Sequence, residues 1–319
     1  MRYEKDFLHL QLTEPTVLSL GKFDGLHRGH ELLMQSVFEK AKTGLKTTVF
    51  TFDVPPNQTD GAHAQVITTN EEKQQLFMER GTDYLIECPF TKEIMQMEAE
   101  QFIAEIVTRL CVKWIVAGTD FHFGHNRRGD YHMLQSYAPV YGYQVQVVPK
   151  MRYQDRDISS TYIREALSKG ELELANELLG YPYFIQGEII HGNQLGRTIG
   201  FPTINIGPSS QKLLPPFGVY ASGVSLGGKY YAGITNIGKK PTIQGDNPAG
   251  AETYIYNFDG DLYGQTAKIE LYHFLRPEMK FEGIGALQRQ LERDIASGAE
   301  YLKRTPQTAK SATSVTPPV

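Results

Sequence analysis

Two short segments carry residue types whose spacing suits phosphate chemistry. In Leu20-Gly-Lys-Phe-Asp-Gly-Leu-His-Arg-Gly-His30, glycines punctuate a turn that runs from an apolar stretch into a helical pattern. Such a turn presents unpaired backbone N–H groups to an anion. His27 and His30 share one face at the helix start, where a cationic or donating imidazole can meet phosphate oxygens. Gly21, Phe23, Asp24 and Gly25 are therefore expected to contact a nucleotide phosphate, and His27 and His30 to be catalytic. The second segment, Ile158-Ser-Ser-Thr-Tyr-Ile-Arg164, combines hydroxyls with a guanidinium at the beginning of a helix. Ser159, Ser160, Thr161 and Arg164 suit triphosphate oxygens. Taken alone, the same residues would make an ordinary capped helix start.

Adenylyl transfer fits this inventory. An attacking phosphate is already anionic and needs little help from a base, so positioning and charge stabilisation are what remain for the protein. His27 and His30 would stabilise charge on the α-phosphate of ATP. Ser160, Thr161 and Arg164 would hold the leaving pyrophosphate, with Mg2+ bridging ATP oxygens and keeping most of its water.

These segments need elements to position them. From Thr16 to about Pro149, the apolar runs TVLSL, KTTVFTF, DYLIECPF, VKWIVAG and YQVQVVP alternate with amphipathic stretches such as EEKQQLFMERG and AEQFIAEIVTRL. The alternation predicts an α/β fold with a doubly wound parallel sheet covered on both faces. Sites in such sheets lie beyond the carboxyl ends of strands, where both GKFDGLHRGH and GTDFHFGHNRRGD fall. After about Tyr183 the pattern becomes period-two and rich in Gly, Tyr, Ile and Thr, which predicts a small antiparallel β-barrel or sandwich. A C-terminal helix over ALQRQLERDIASGAEYLKR closes it, with Leu287, Leu291 and Ile295 on one stripe. The expected domains are 1–182 and 183–304, followed by a disordered tail over 305–319.

Composition narrows the partners. The 32 Lys and Arg are outnumbered by 36 Asp and Glu, for a net charge of -4. That argues against nucleic acid as a partner and leaves small anionic ligands. No signal peptide or membrane span is expected, and Cys88 and Cys111 read as buried thiols in a reducing cytoplasm. The absence of an exposed heptad gives no reason to expect a permanent assembly.

With Gly118-Thr-Asp-Phe-His-Phe-Gly124 and Arg128-Gly-Asp130 lying between the two segments, the chain resembles the bacterial bifunctional riboflavin kinase/FAD synthetases over roughly residues 15 to 305. The resemblance implies that the first half converts FMN and ATP to FAD and pyrophosphate, with Asp120, Phe121, Phe123, Arg128 and Asp130 on the flavin side. Aromatic side chains after a strand can stack on an isoalloxazine ring, and either Phe can equally be buried packing. The segment from Gly192 to Asn205, GNQLGRTIGFPTIN, resembles the riboflavin kinase module, as do Asn236-Ile-Gly-Lys-Lys-Pro-Thr242, Asp261-Leu-Tyr-Gly264 and Leu275-Arg-Pro-Glu-Met-Lys-Phe281. Gly192, Gly196, Arg197, Thr198, Gly200 and Pro202 are implied phosphate contacts. Thr203 and Asn205, alternating along a strand, offer two oxygen ligands for magnesium. Glu252 matches the base that accepts the proton of a neutral ribityl hydroxyl, and on its own reads as an exposed edge charge. Arg276 matches a residue near the nucleotide and flavin phosphates; its alternative is a surface ion pair.

The sequence departs from the family pattern at two places. Where members read Thr-Phe-x-Pro-His-Pro, this chain reads Thr51-Phe-Asp-Val-Pro-Pro56, so that Pro55 replaces a phosphate-directed histidine; His63 lies nearby. Tyr254 stands where members carry a histidine after the glutamate. The expectation is a bifunctional enzyme that phosphorylates riboflavin to FMN and adenylylates FMN to FAD. The alternatives are an enzyme retaining one activity, a nucleotidyltransferase for another metabolite, or a flavin-binding regulatory protein.

Overall fold

The computed structural model describes residues 1–53, 65–192, 196, 199–239, 249–258, 260 and 262–304. Pro55, His63, Arg197, Thr198, Lys240–Thr242, Asp261 and the 305–319 tail lie outside them. The chain divides into two compact units, Met1–Tyr162 and Ile163–Val319.

In the first unit, β1 (Arg2–Glu4), β2 (Thr16–Leu20), β3 (Lys46–Asp53), β4 (Tyr84–Pro89), β5 (Val112–Gly118) and β6 (Gln144–Val148) form a sheet in the order β1-β4-β3-β2-β5-β6. Every pairing is parallel. Five of these strands follow the apolar runs read from the sequence. The edge strand β1 was not anticipated: Arg-Tyr-Glu is short and polar, and it is held by pairing with β4 and by the Tyr3 hydroxyl donating to Glu87. The helices are α1 (Arg28–Ala41), α2 (Asn70–Glu79), α3 (Lys92–Gln96), α4 (Ala99–Arg109) and α5 (Tyr131–Tyr141).

Residues of β2 are buried on both faces, as a central parallel strand requires. On one face Leu18, Leu20, Phe50, Ile86, Ile115 and Ala117 pack with Phe102, Ile103 and Ile106 of α4 and Leu134 of α5. The alternate residues Val17, Val49, Leu85 and Val116 point to the other face, where α1 lies against β2, β3, β5 and β6. The chain winds outward in opposite directions from β2 and β5, so the loops after these two strands flank the switch point at which such sheets bind ligands. A small hairpin, β7 (Arg152–Tyr153) with β8 (Arg156–Asp157), leads to α6 (Ser160–Lys169) and α7 (Leu172–Leu179).

In the second unit, β9 (Tyr183–Ile190), β10 (Thr203–Ile206), β11 (Gly218–Leu226), β12 (Lys229–Lys239), β13 (Ala249–Ile255) and β14 (Thr266–Pro277) make a closed barrel in the order β10-β13-β12-β11-β14-β9. All its pairings are antiparallel, which resolves barrel against sandwich. Gly227 and Gly228, at φ of 56° and 75°, supply the left-handed turn that joins β11 to β12. Inside, the buried hydroxyls of Ser222, Thr235 and Thr253 satisfy one another at 2.8 Å. α7 goes with this unit: Asn176 donates to the Leu271 carbonyl and accepts from the Tyr183 N–H. The compact division thus falls twenty residues before the expected 182/183 boundary, inside α6.

Helix α8 (Ile284–Arg304) covers Val219, Ala221, Ile234 and Tyr256 with Ile295, Ala299 and Leu302. The expected stripe is fully buried only in its later part: Leu287 and Leu291 are half-buried. Gly298 allows the close approach, since a Cβ there would lie 2.5 Å from Ile234 Cγ2.

Phe50 is fully buried and meets Phe7, Phe52 and Phe102 edge-on at 5.0, 5.3 and 5.7 Å. Phe50→Ala is expected to cost about 3–5 kcal/mol. Trp114, the single tryptophan, sits in β5, so denaturant unfolding followed by its fluorescence reads this loss in the first unit.

Candidate functional site

The turn after β2 is fixed by hydrogen bonds before any ligand arrives. Asp24 Oδ1 accepts from the N–H groups of Ile67 and Thr68 at 2.8 and 3.1 Å, and Gly25 N donates to Thr68 Oγ1 at 3.0 Å. Thr51 Oγ1 donates to the Lys22 carbonyl at 3.0 Å. Gly25 has φ of 64°, and a Cβ there would lie 2.7 Å from Ile67 Cγ2, so no other residue fits without displacement. Phe23 adopts φ of 48° and is fully buried, its ring 5.0 Å from His30 and 5.4 Å edge-on from Phe77. The side chains of Phe23 and Asp24 therefore brace the turn, which leaves its remaining backbone N–H groups as the part open to an anion.

His27 is the N-cap of α1, its Nδ1 accepting the His30 N–H at 3.3 Å. The two imidazoles stack with centroids 3.6 Å apart and planes 14° from parallel. Gly29 leaves room for this, because a Cβ there would be 3.1 Å from the His27 ring. Burial pushes His27 down to about 4, against the opposing pull of the Asp120 carboxylate. His30 is held well below the usual imidazole range by burial and then by His27, with the Gly25 backbone acting the other way. Both rings are neutral at pH 7, so of the cationic and donating alternatives the unliganded protein presents the donating one. His30 Nδ1 is out of solvent and has no hydrogen-bond partner among the described residues.

The second segment reaches the same turn. Ser160 Oγ donates to the Asp24 carbonyl at 2.7 Å, a contact between residues 136 apart in sequence. Its hydroxyl proton is thereby engaged, leaving Ser160 to a phosphate only as an anchor of the helix start. Ser159 Oγ accepts from Tyr162 N at 3.2 Å as a cap, Thr161 is exposed, and Arg164 follows one turn along α6, half-buried.

The loop after β5 separates its expected flavin contacts. Asp120 is exposed and pairs with Lys150 at 3.3 Å; Lys150 also faces Asp157 at 3.7 Å, a bridge the sequence did not reveal. Phe121 is half-buried and stacks on Phe123 at 5.6 Å. Phe123 is buried, packs 5.5 Å from Phe102 and pairs by backbone with Gly129, so for this residue core packing is what the structure shows. Arg128 is turned to Glu98 and Glu100 at 2.9 and 3.3 Å, and Asp130 caps α5 by accepting from Met133 N at 3.0 Å. These two hold the loop to neighbouring helices.

On the barrel, register brings distant residues together. Asn205 lies opposite Glu252, which lies opposite Asn236, so the three share one face. Thr203 Oγ1 donates to Glu252 Oε1 at 2.7 Å. Gly192 passes so near Asn205 that a Cβ would lie 2.4 Å from its Nδ2, and a Cβ on Gly196 would lie 2.3 Å from the Phe201 carbonyl. Gly200, at φ of 88°, and Pro202 are exposed just before Thr203. Tyr254 packs edge-on to Phe201 and Tyr256 at 6.0 and 5.8 Å. Asn236 was named from the sequence only as the start of a family-like segment, and the pairing of β12 with β13 is what sets it opposite Glu252. Arg276 is engaged within the protein. It donates to Asp294 through Nε and Nη2 at 2.8 and 2.6 Å and to the Pro277 carbonyl through Nη1, within the packing of α8. Since Asp294 is buried, this is not a surface pair.

Among the described residues no three His, Cys, Asp or Glu side chains cluster to hold a metal. A hydroxyl, an amide oxygen and one carboxylate fit a hard cation that arrives with nucleotide phosphates rather than one caged by protein alone.

A family model for FAD synthetase matches residues 9–162, and one for riboflavin kinase matches 179–302. A bifunctional riboflavin kinase/FMN adenylyltransferase of Listeria monocytogenes is 38% identical over 87% of this chain and 90% of its own length. The chain belongs to this bifunctional riboflavin kinase/FMN adenylyltransferase family. Members from Bacillus subtilis, 38% identical over 90% of this chain and 92% of theirs, and Escherichia coli K12, 37% identical over 92% and 94%, carry the same name. A crystal structure described as a macrolide-efflux protein from Streptococcus pneumoniae superposes with a TM-score of 0.81 at 29% identity, covering 93% of this chain and 98% of that one. No described helix of this family member is long and apolar enough to cross a membrane.

Depression of His27 from 6.5 to about 4 has a defined consequence for stability. Below 6.5 the unfolded chain gains a proton that the folded one refuses, so His27 supports stability above pH 6.5 and that support is lost as pH falls toward about 4. His27→Asn keeps a capping acceptor and removes the imidazole. Its unfolding midpoint, read at Trp114, should fall less steeply than that of the wild type across this range.

Proposed function

We propose that this chain carries out both reactions of its relatives' name, each in its own part: adenylylation of FMN within residues 1–182 and phosphorylation of riboflavin within 183–304. The observation that carries the reading is that each part assembles a separate centre from segments distant in sequence. Ser160 closes on Asp24 at one, and Thr203 on Glu252 at the other.

At the first centre, the N–H groups of the β2–α1 turn and the imidazoles of His27 and His30 face the phosphates of ATP. The FMN phosphate attacks the α-phosphorus, the bond to the β-phosphate oxygen breaks, and pyrophosphate leaves. Because the nucleophile is an anion, the protein supplies donors and orientation rather than a base. Phe121 and Asp120 line the flavin side after β5, and Thr161 serves the pyrophosphate.

At the second centre, Glu252 accepts the proton of the ribityl hydroxyl as it attacks the γ-phosphorus of ATP. The Thr203 hydroxyl orients that carboxylate. Thr203 and Asn205 would hold magnesium together with ATP, and that ion would neutralise charge on the transferring phosphoryl group. Gly192, Gly196 and Gly200 let backbone approach the nucleotide closely. The substrates are ATP, riboflavin and FMN. The free cysteines Cys88 and Cys111 fit a cytoplasmic setting.

Separate centres imply separable losses. With magnesium-ATP, Glu252→Gln should lower FMN formation from riboflavin by about 10²–10⁴-fold and leave FAD formation from FMN intact. His30→Asn should lower FAD formation by about 10²–10³-fold and spare the kinase. Chromatographic separation of FMN, FAD, ADP and pyrophosphate reads both, and loss of both products in either variant would contradict the assignment.

A further inference from the structure

The residues that open α2 hold the β2–α1 turn, and something must in turn hold the start of α2. In the second half of this helix, buried Leu76 and Phe77 pack as apolar side chains do, but the buried residues of its first turn, Glu72 and Lys73, are charged. Glu72 closes a capping box with Thr69: each side chain accepts the other's N–H, at 2.9 and 3.3 Å. Lys73 has a different task. Its side chain is 6% exposed and faces that of Glu87, 1% exposed, with Nζ 3.5 Å from Glu87 Oε1. The same ammonium lies 3.5 Å from Asn70 Oδ1, and Asn70 Nδ2 donates to Asp53 Oδ1 at 3.0 Å. The Tyr3 hydroxyl donates to the other oxygen of Glu87. A buried ion pair loses much of its attraction to the removal of water, and apolar residues of similar volume would hold a helix as firmly. What the pair adds is direction.

Two routes lead from it to the turn. Along α2, Lys73 and Asn70 set the helix start against the ends of β4 and β3; just before that start, Ile67 and Thr68 donate to Asp24 Oδ1, and Thr68 Oγ1 accepts from Gly25 N. Along the sheet, Glu87 stands opposite Thr51, whose hydroxyl donates to the Lys22 carbonyl. Both routes end within residues 22–25.

We propose that Lys73 is a positioning residue for adenylyl transfer: its ammonium, between Glu87 and Asn70, fixes the start of α2 and through it the orientation of the Lys22–Gly25 turn toward the phosphates of ATP. The side chain takes no part in the chemistry. This inference rests on the assignment of the β2–α1 turn as the ATP site of the adenylylation centre. β3 and β4 lie on one side of β2 in the sheet, whereas the candidate flavin contacts follow β5 on the other. Loss of Lys73 is therefore felt by ATP and not by FMN.

The test measures steady-state FAD formation by the full-length chain, with ATP and FMN varied separately and riboflavin phosphorylation by the same protein as the internal control. Lys73→Met leaves Glu87 buried without its cation and should also lower stability. Lys73→Met/Glu87→Gln removes both charges and leaves Tyr3 an acceptor, so denaturant unfolding read at Trp114 should return close to that of the wild type. In this double variant the KM for ATP in FAD formation should nonetheless stay about tenfold above that of the wild type, with the KM for FMN and the kinase reaction unchanged. Asn70→Ala cuts the link to Asp53 without touching a buried charge, and it should raise the ATP KM in the same direction. An ATP KM that returns to normal along with stability in the double variant would overturn the positioning role and leave the adenylylation centre standing. The same holds if the KM values for ATP and FMN rise together, or if Asn70→Ala leaves the ATP KM unchanged. A wild-type chain that forms no FAD from FMN would overturn the assignment of the centre and this inference with it.

Discussion

Asp24 ties the candidate adenylylation centre together. Its carboxylate holds two N–H groups in the segment before α2, and its carbonyl receives the hydroxyl that opens α6. Three pieces of chain, separated by dozens of residues, are thereby fixed to one another at the carboxyl edge of the sheet. A turn with Phe23 and Gly25 at positive φ is strained for most sequences, and these bonds offset that strain. The stacked histidines depend on the same anchorage, because the turn sets where α1 begins and hence which residue caps it.

The barrel solves its positioning problem differently. There the constraint is register: a strand pair carries side chains to the same face only when their alignment is right, and a shift of one residue would send Glu252 inside the barrel. The alignment is enforced from within by the hydroxyls of Ser222, Thr235 and Thr253 and from outside by the apolar contact with α8. The ion pair of Arg276 with buried Asp294 locks that helix to β14. Arg276, read from the sequence as a flavin contact, here also holds the wall in place.

The strands of the sheet were legible because central parallel strands are continuous apolar runs; Thr16–Leu20 and Val112–Gly118 fall on the expected residues. β1 was not, since pairing to β4 rather than composition makes it a strand. The positions of the histidines could be read from their spacing, but their charge state could not, as it depends on burial by residues such as Phe23 and Phe77. Alternation in the second unit announced antiparallel strands, whereas closure depends on which edges meet. Asp130, Arg128 and Arg276 show the limit of residue-type reasoning. A charged side chain in a family-like segment serves equally well as a helix cap or an ion-pair anchor, and only its neighbours decide.

Closure of the barrel has its own consequence. Among the described residues, β9 and β14 meet along six residue pairs, but β9 and β10 meet at only two, Asn205 with Ile190 and Ile206 with Ile189. The barrel is thus thinnest at a seam, and one of the two stitches is a candidate magnesium ligand. Any cation and nucleotide that engage Asn205 act as a clasp on that seam, so substrate occupancy and the integrity of the barrel become a single linked equilibrium. A kinase centre at this seam would be strengthened by its own substrate where the wall is weakest.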